Sequence, residues 1–155
     1  SEDRCGGGIY FVYIDINHMM AINDSWGHKC GDRSLEIVVN ELGNNFQSTD
    51  LCFRYGGDEF LVIAKHTNKN TVLSTIEKVQ ARYCERVDDH ISEACKQYLE
   101  RETSSASSPY HCEGFAYVIS RITDEDNDYD DVLRRMGDEM EVLKNNIRAQ
   151  KMKSR

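Results

Sequence analysis

Asp58 and Glu59 stand side by side behind a glycine pair, in Gly56-Gly57-Asp58-Glu59-Phe60. Adjacent carboxylates can hold a hard cation or handle a proton, although on a turn they are also ordinary solvated acids. Asp15 bears on the choice. It closes Tyr10-Phe11-Val12-Tyr13-Ile14, an almost wholly apolar run that reads as a strand buried on both faces. If Asp15 and Asp58 converge, their oxygens suit Mg²⁺, which keeps several waters and takes the phosphates of a substrate. Such a site serves nucleotide chemistry.

Bringing these acids together requires a hairpin beside a central strand. Leu51-Cys52-Phe53-Arg54-Tyr55 and Phe60-Leu61-Val62-Ile63-Ala64 are the two arms, and the glycine pair between them is expected to allow a positive-φ turn. Residues 9–15 form the first strand. Leu35, Val38, Val39, Leu42 and Phe46 recur at helical spacing, and His18 to Asp24 forms a short helix before them. From Thr71 to about Tyr98 there is neither Gly nor Pro, and Leu73, Ile76, Val79, Tyr83, Val87, Ile91 and Cys95 keep a spacing of three or four. That stretch predicts one long helix, or two broken near Asp88-Asp89. Ser104-Ser105-Ala106-Ser107-Ser108-Pro109 reads as a loop, Gly114 to Ile119 as a strand. Val132, Leu133, Met136, Met140, Leu143 and Ile147 mark an amphipathic C-terminal helix whose methionines fill a core. The order β-α-α-β-β-α-β-α describes an α+β fold with helices over one or both faces of a sheet.

With 155 residues, 39% apolar and 30% charged, the chain is expected to be one globular domain with its own core. No run approaches the roughly 20 apolar residues of a membrane span. The net charge of −8 argues against nucleic acid or an anionic membrane as partner, since both are bound through clustered Lys and Arg. Asp124-Glu125-Asp126-Asn127-Asp128 reads as a loop or helix start, lacking the bidentate Glu of a calcium loop. The six cysteines, at 5, 30, 52, 84, 95 and 112, show no zinc-ligand spacing and are expected to be free thiols, Cys52 a small core residue.

Asp15-Ile16-Asn17-His18-Met19-Met20-Ala21-Ile22-Asn23-Asp24, followed by Gly27-His28, Gly31-Asp32, Asp50, Arg54-Tyr55 and the pentapeptide, resembles the GGDEF domain of diguanylate cyclases. The likeness runs from about residue 9 to 148 and is strongest over 15–64. The resemblance implies a nucleotidyl-cyclase-like, palm-type fold with a mostly antiparallel central sheet flanked by helices. The aspartate-rich start of the family's pattern is absent, so residues 1–8 read as a boundary or linker. The chain, 1–155, is then expected to be the C-terminal catalytic part of a longer protein, cytoplasmic as a domain, with any membrane contact made by upstream regions.

What the resemblance implies chemically is condensation of two GTP molecules into cyclic di-GMP with loss of pyrophosphate, between two copies of the domain. Asp15, Asp58 and the carbonyl of Ile16 would hold Mg²⁺ or Mn²⁺, two per active site. Asp58 or Glu59 would activate or position the 3′-hydroxyl, and Gly56 and Gly57 would admit phosphate close to the backbone. Asn23 and Asp32 would read guanine, whose donor and acceptor edge they complement; as bare sequence they also fit turn and helix-cap roles, Asp32 as the N-cap of the Leu35 helix. Lys144 and Arg148, four apart on one helical face, would contact the triphosphate, and they also suit a helix C-terminus.

Departures from the family pattern set expectations of their own. Met20 replaces a phosphate-contacting lysine, so activity is expected to be reduced. Asn17 replaces an Asp, Met19 a Phe or Leu, Cys112 a Ser, and Met136-Gly137 an Ala-Asp pair. Gln47-Ser48-Thr49-Asp50 lacks the arginine of the product-binding Arg-x-x-Asp motif, so no product inhibition is expected there. The alternatives are a degenerate domain that binds GTP or a partner without turnover, and another nucleotidyl cyclase on the same scaffold.

Overall fold

The computed structural model describes residues 7–101 and 112–154. Its elements run β1 (Gly8–Ile16), α1 (Met19–Trp26), α2 (His28–Asn45), β2 (Leu51–Arg54), β3 (Glu59–Thr67), α3 (Lys69–Arg101), β4 (Phe115–Ile122) and α4 (Tyr129–Lys153), the order read from the sequence. The predicted loop at Ser104–Pro109 lies outside the described residues.

The strands form one antiparallel sheet in the order β2-β3-β1-β4. β1 lies in the interior of that sheet, which is why its sequence is apolar on both faces: Tyr10, Phe11, Val12, Tyr13 and Ile14 are all buried. Alternation along β1 then sorts two cores. Tyr10, Val12, Ile14 and Ile16 pack with Phe60, Val62 and the buried stripes of α2 and α3. Phe11 and Tyr13 pack with Leu61, Ala116 and the Val132, Met136 and Met140 stripe of α4. Helices therefore cover both faces, and Met136 and Met140 of α4 are core, as expected. No helix among the described residues is long and apolar enough to cross a membrane.

Of the two expected alternatives for α3 the single helix is the one formed, passing through Asp88-Asp89 without a break. Val79, Tyr83, Val87 and Ile91 stay buried through this region, Asp89 is exposed, and half-buried Asp88 accepts the Cys112 amide at 2.6 Å through Oδ1. Cys52 is exposed rather than core, because β2 is the sheet's edge and every residue of it is exposed. The four cysteines whose side chains are described, 30, 52, 84 and 112, are free. Neither Gly56 nor Gly57 adopts a positive φ; their value to the hairpin is space, as the site shows.

Candidate functional site

Both strand ends that carry the acids meet at one rim of the sheet. Asp15 lies opposite Glu59 in the β1–β3 register, and the Ile16 amide donates to the Asp58 carbonyl at 3.0 Å, binding the end of β1 to the hairpin turn. On the other side, the Asn17 amide donates to the Gly114 carbonyl at 3.0 Å and its side chain to the Glu113 carbonyl at 3.0 Å. Asn17 thus joins β1 to the approach to β4.

The turn itself is fixed from three directions. The Tyr55 and Gly56 amides both donate to the Glu59 carbonyl, at 2.8 and 3.2 Å. Arg54 reaches forward to accepting carbonyls, Gly57 at 2.6 Å from Nη2 and Gly56 at 3.2 Å from Nε. The Tyr13 hydroxyl donates to Glu59 Oε1 at 2.6 Å; burial and then this bond push the Tyr13 hydroxyl well above its ordinary value. A Cβ on Gly56 would collide with Glu59 Oε2, so this glycine leaves room for the carboxylate. Glu59 is consequently folded toward Tyr13.

Asp15 is the most electrostatically loaded group. Burial raises its carboxyl above the usual range, Lys144 opposes that, and the neighbouring Asp58 and Glu59 add to it. Lys144 Nζ stands 2.6 Å from Asp15 Oδ1, a charge-assisted contact that holds the carboxylate's charge in place. Three crowded acids, Asp15, Asp58 and Glu59, with the Lys144 ammonium against one of them, have the oxygen donors and the charge excess that suit a divalent cation. No group of three or more His, Cys, Asp or Glu side chains gathers as a closed cage among the described residues, so backbone carbonyl, water or phosphate oxygens would complete the shell, the habit of Mg²⁺.

A cleft of about 600 Å³ opens beside this cluster, lined by Ile16, Met20, Asp58, Lys144 and Arg148 among others. Arg148 has no acidic partner among the described residues and is available to an anion. Met20 is 78% exposed, so the thioether fills no packing role.

Asn23 and Asp32 fall outside that lining. Asn23 lies within α1, its carboxamide against Gly31 so closely that a Cβ there would overlap Oδ1. Asp32, the next residue, is exposed and lines a second groove of about 540 Å³ with Leu35, Arg54 and Phe60. The N-cap reading of Asp32 is overturned: α2 begins at His28, so Asp32 sits inside it. Asn23 is likewise no turn residue, and Gly27, at φ 88°, supplies the break between α1 and α2. Sequence reasoning missed Tyr13 and Glu113 as parts of this region, and it named Arg54 as a motif position without seeing that it clasps the turn. An isolated aromatic in an apolar strand reads as packing, so Tyr13 gave no hint of its hydroxyl's partner.

Comparison with known proteins places this geometry. The sequence model of the family described as "Diguanylate cyclase, GGDEF domain" matches residues 3–150. Diguanylate cyclase DosC of Escherichia coli (strain K12) is 38% identical over 80 residues, 52% of this chain and 17% of that protein. Diguanylate cyclase DgcP of Pseudomonas aeruginosa is 35% identical over 78 residues, 50% of this chain and 12% of its own length. The chain thus spans under a fifth of these relatives. Among solved structures, the active GGEEF domain of a diguanylate cyclase from Vibrio cholerae superposes with a TM-score of 0.67 at 22% identity, covering 90% of this chain and 78% of that one. The GGDEF domain of DgcB from Caulobacter crescentus, in complex with c-di-GMP, gives 0.62 at 19% identity over 93% and 76%. The structural likenesses establish a shared fold.

Proposed function

The chain belongs to the GGDEF domain family of diguanylate cyclases, and from that premise we propose that it condenses two GTP molecules into cyclic di-GMP. Each 3′-hydroxyl oxygen forms a bond to the α-phosphorus of the other GTP. The bond to the β-phosphate oxygen breaks, and pyrophosphate leaves. The observation that carries this reading is the meeting of Asp15 and Asp58 at a cleft that also holds Lys144 and Arg148.

Asp15, Asp58 and the Ile16 carbonyl are the groups to hold Mg²⁺ or Mn²⁺, two ions when loaded. Bound there, the ions neutralise triphosphate charge and lower the hydroxyl's pKa. Lys144 and Arg148 grip the phosphates, and the hydroxyl's proton passes to the Asp58–Glu59 pair. Asn23 and Asp32 read the guanine edge, with Gly31 allowing Asn23 to lie close beside Asp32. Gly57 has open space above it, which admits a phosphate near the backbone. Since each domain holds one GTP, the reaction requires two copies face to face.

A second reading, GTP binding without turnover, is favoured by one observation: Met20 exposes a thioether in the cleft, where an ammonium would assist the phosphates. Incubation with GTP and Mg²⁺ or Mn²⁺, with products identified by mass, separates the two. Cyclic di-GMP from the wild type, reduced at least about 100-fold in Asp58→Asn, is the expected result. GTP binding without product supports the second reading, and a different cyclic product indicates another cyclase.

A further inference from the structure

α4 does not stop at Arg148. It continues unbroken to Lys153, and that continuation places Lys151 on the face already occupied by Lys144 and Arg148, at i, i+4 and i+7. All three cations line the same cleft. Lys151 Nζ lies 2.6 Å from Glu113 Oε1, and the His18 imidazole pairs with the other oxygen of the same carboxylate. Glu113 also lines the cleft. Partial burial works to raise its carboxyl, but the hydrogen bond from Lys151 and the charge of His18 outweigh that and hold it low. An ionised acid thus sits at the cleft wall with a lysine clamped to it.

We propose that Lys151 is a third polyphosphate-binding cation, held in readiness by Glu113 and transferred from that carboxylate to the substrate's phosphates on binding. This rests on the reading of the cleft as a triphosphate site. A triphosphate brings about four negative charges at neutral pH, and Asp58 and Glu113 in the cleft wall add acids of the same sign beside them, so each further cation facing the phosphates counts. Lys144 is itself engaged with Asp15. Met20, on α1, contributes no charge to the same cleft, and Lys151 is the further ammonium that lines it. Glu113 is then a competitor for the substrate's cation as well as its holder, so removing its charge strengthens phosphate binding.

The test uses inorganic tripolyphosphate with Mg²⁺, and separately guanosine, titrated calorimetrically into the wild type, Glu113→Gln, Lys151→Gln and the double variant. Glu113→Gln is expected to bind tripolyphosphate about 3-fold more tightly, and the double variant about 5- to 10-fold more weakly than Glu113→Gln. Guanosine affinity stays unchanged throughout. Adding Met20→Lys to Lys151→Gln is expected to recover most of the lost affinity. Equal tripolyphosphate affinity in Glu113→Gln and the double variant overturns the proposal, as does a wild type that does not bind tripolyphosphate. The predicted affinity pattern in a protein that makes no cyclic di-GMP supports the role of Lys151 while sinking the cyclase reading.

Discussion

At the scale of single residues, Asp15 combines a proposed metal-binding position with an energetic liability. Its carboxyl is raised by burial and by Asp58 and Glu59, so its ionised form is disfavoured in the folded protein relative to the unfolded chain, and at neutral pH that disfavour counts against folding. Asp15→Asn should therefore raise the Tm of the metal-free protein while abolishing cyclase activity. The sign with pH follows: as pH falls through the raised pKa, the folded wild type takes up a proton before the unfolded chain does, and the gap to Asp15→Asn narrows. Thermal melts in chelator across the acidic range check both points, and an unchanged or lower Tm for Asp15→Asn at neutral pH contradicts the account. Much of this site was legible in the sequence because Asp15 ends an apolar run and Asp58 follows a glycine pair. What was not legible are the contacts that orient Glu59, since Tyr13 and Gly56 act on it through a hydroxyl 46 positions away in the chain and through an absent side chain.

At the scale of elements, α2 and α3 are joined by a charge inside their interface. Glu41 is 5% exposed, and its Oε1 receives Arg86 Nη1 at 2.9 Å while Asn45 donates to Oε2 at 3.1 Å. Arg86→Ala leaves the carboxylate buried with only the amide for company and is expected to cost about 2 kcal/mol, read as a lower urea midpoint with an unchanged m-value. α2 carries Asp32 and packs at Gly31 against Asn23 of α1, so this pair also steadies the proposed guanine site. Periodicity revealed both helices, because their stripes repeat every three or four residues. It left open whether α3 runs on through Asp88-Asp89, which burial of Val87 and Ile91 decides, and it could not reveal that the β2 run is an exposed edge. A strand's sequence records its β-propensity, whereas its place in the sheet depends on pairings distant in the chain.

At the scale of the whole molecule, the segment before β2 is fastened to the sheet. Both oxygens of Asp50 are taken by backbone amides, Oδ2 by Gln47 at 2.9 Å and Oδ1 by Lys65 at 2.9 Å. Gln47 offers no guanidinium for a phosphate, and Asp50 is occupied in fastening the loop to β3. Added micromolar cyclic di-GMP should leave the initial rate of pyrophosphate release unchanged; tight inhibition that Asp50→Ala relieves would refute this.

Arg54 gives the signature a wider boundary than its five letters. Its guanidinium holds the carbonyls of both glycines, so the shape of the turn is dictated by a side chain that lies outside it. A lineage could keep every letter of the pentapeptide and still lose its use through drift at position 54. The unit that keeps the turn's shape is the loop together with its external clasp.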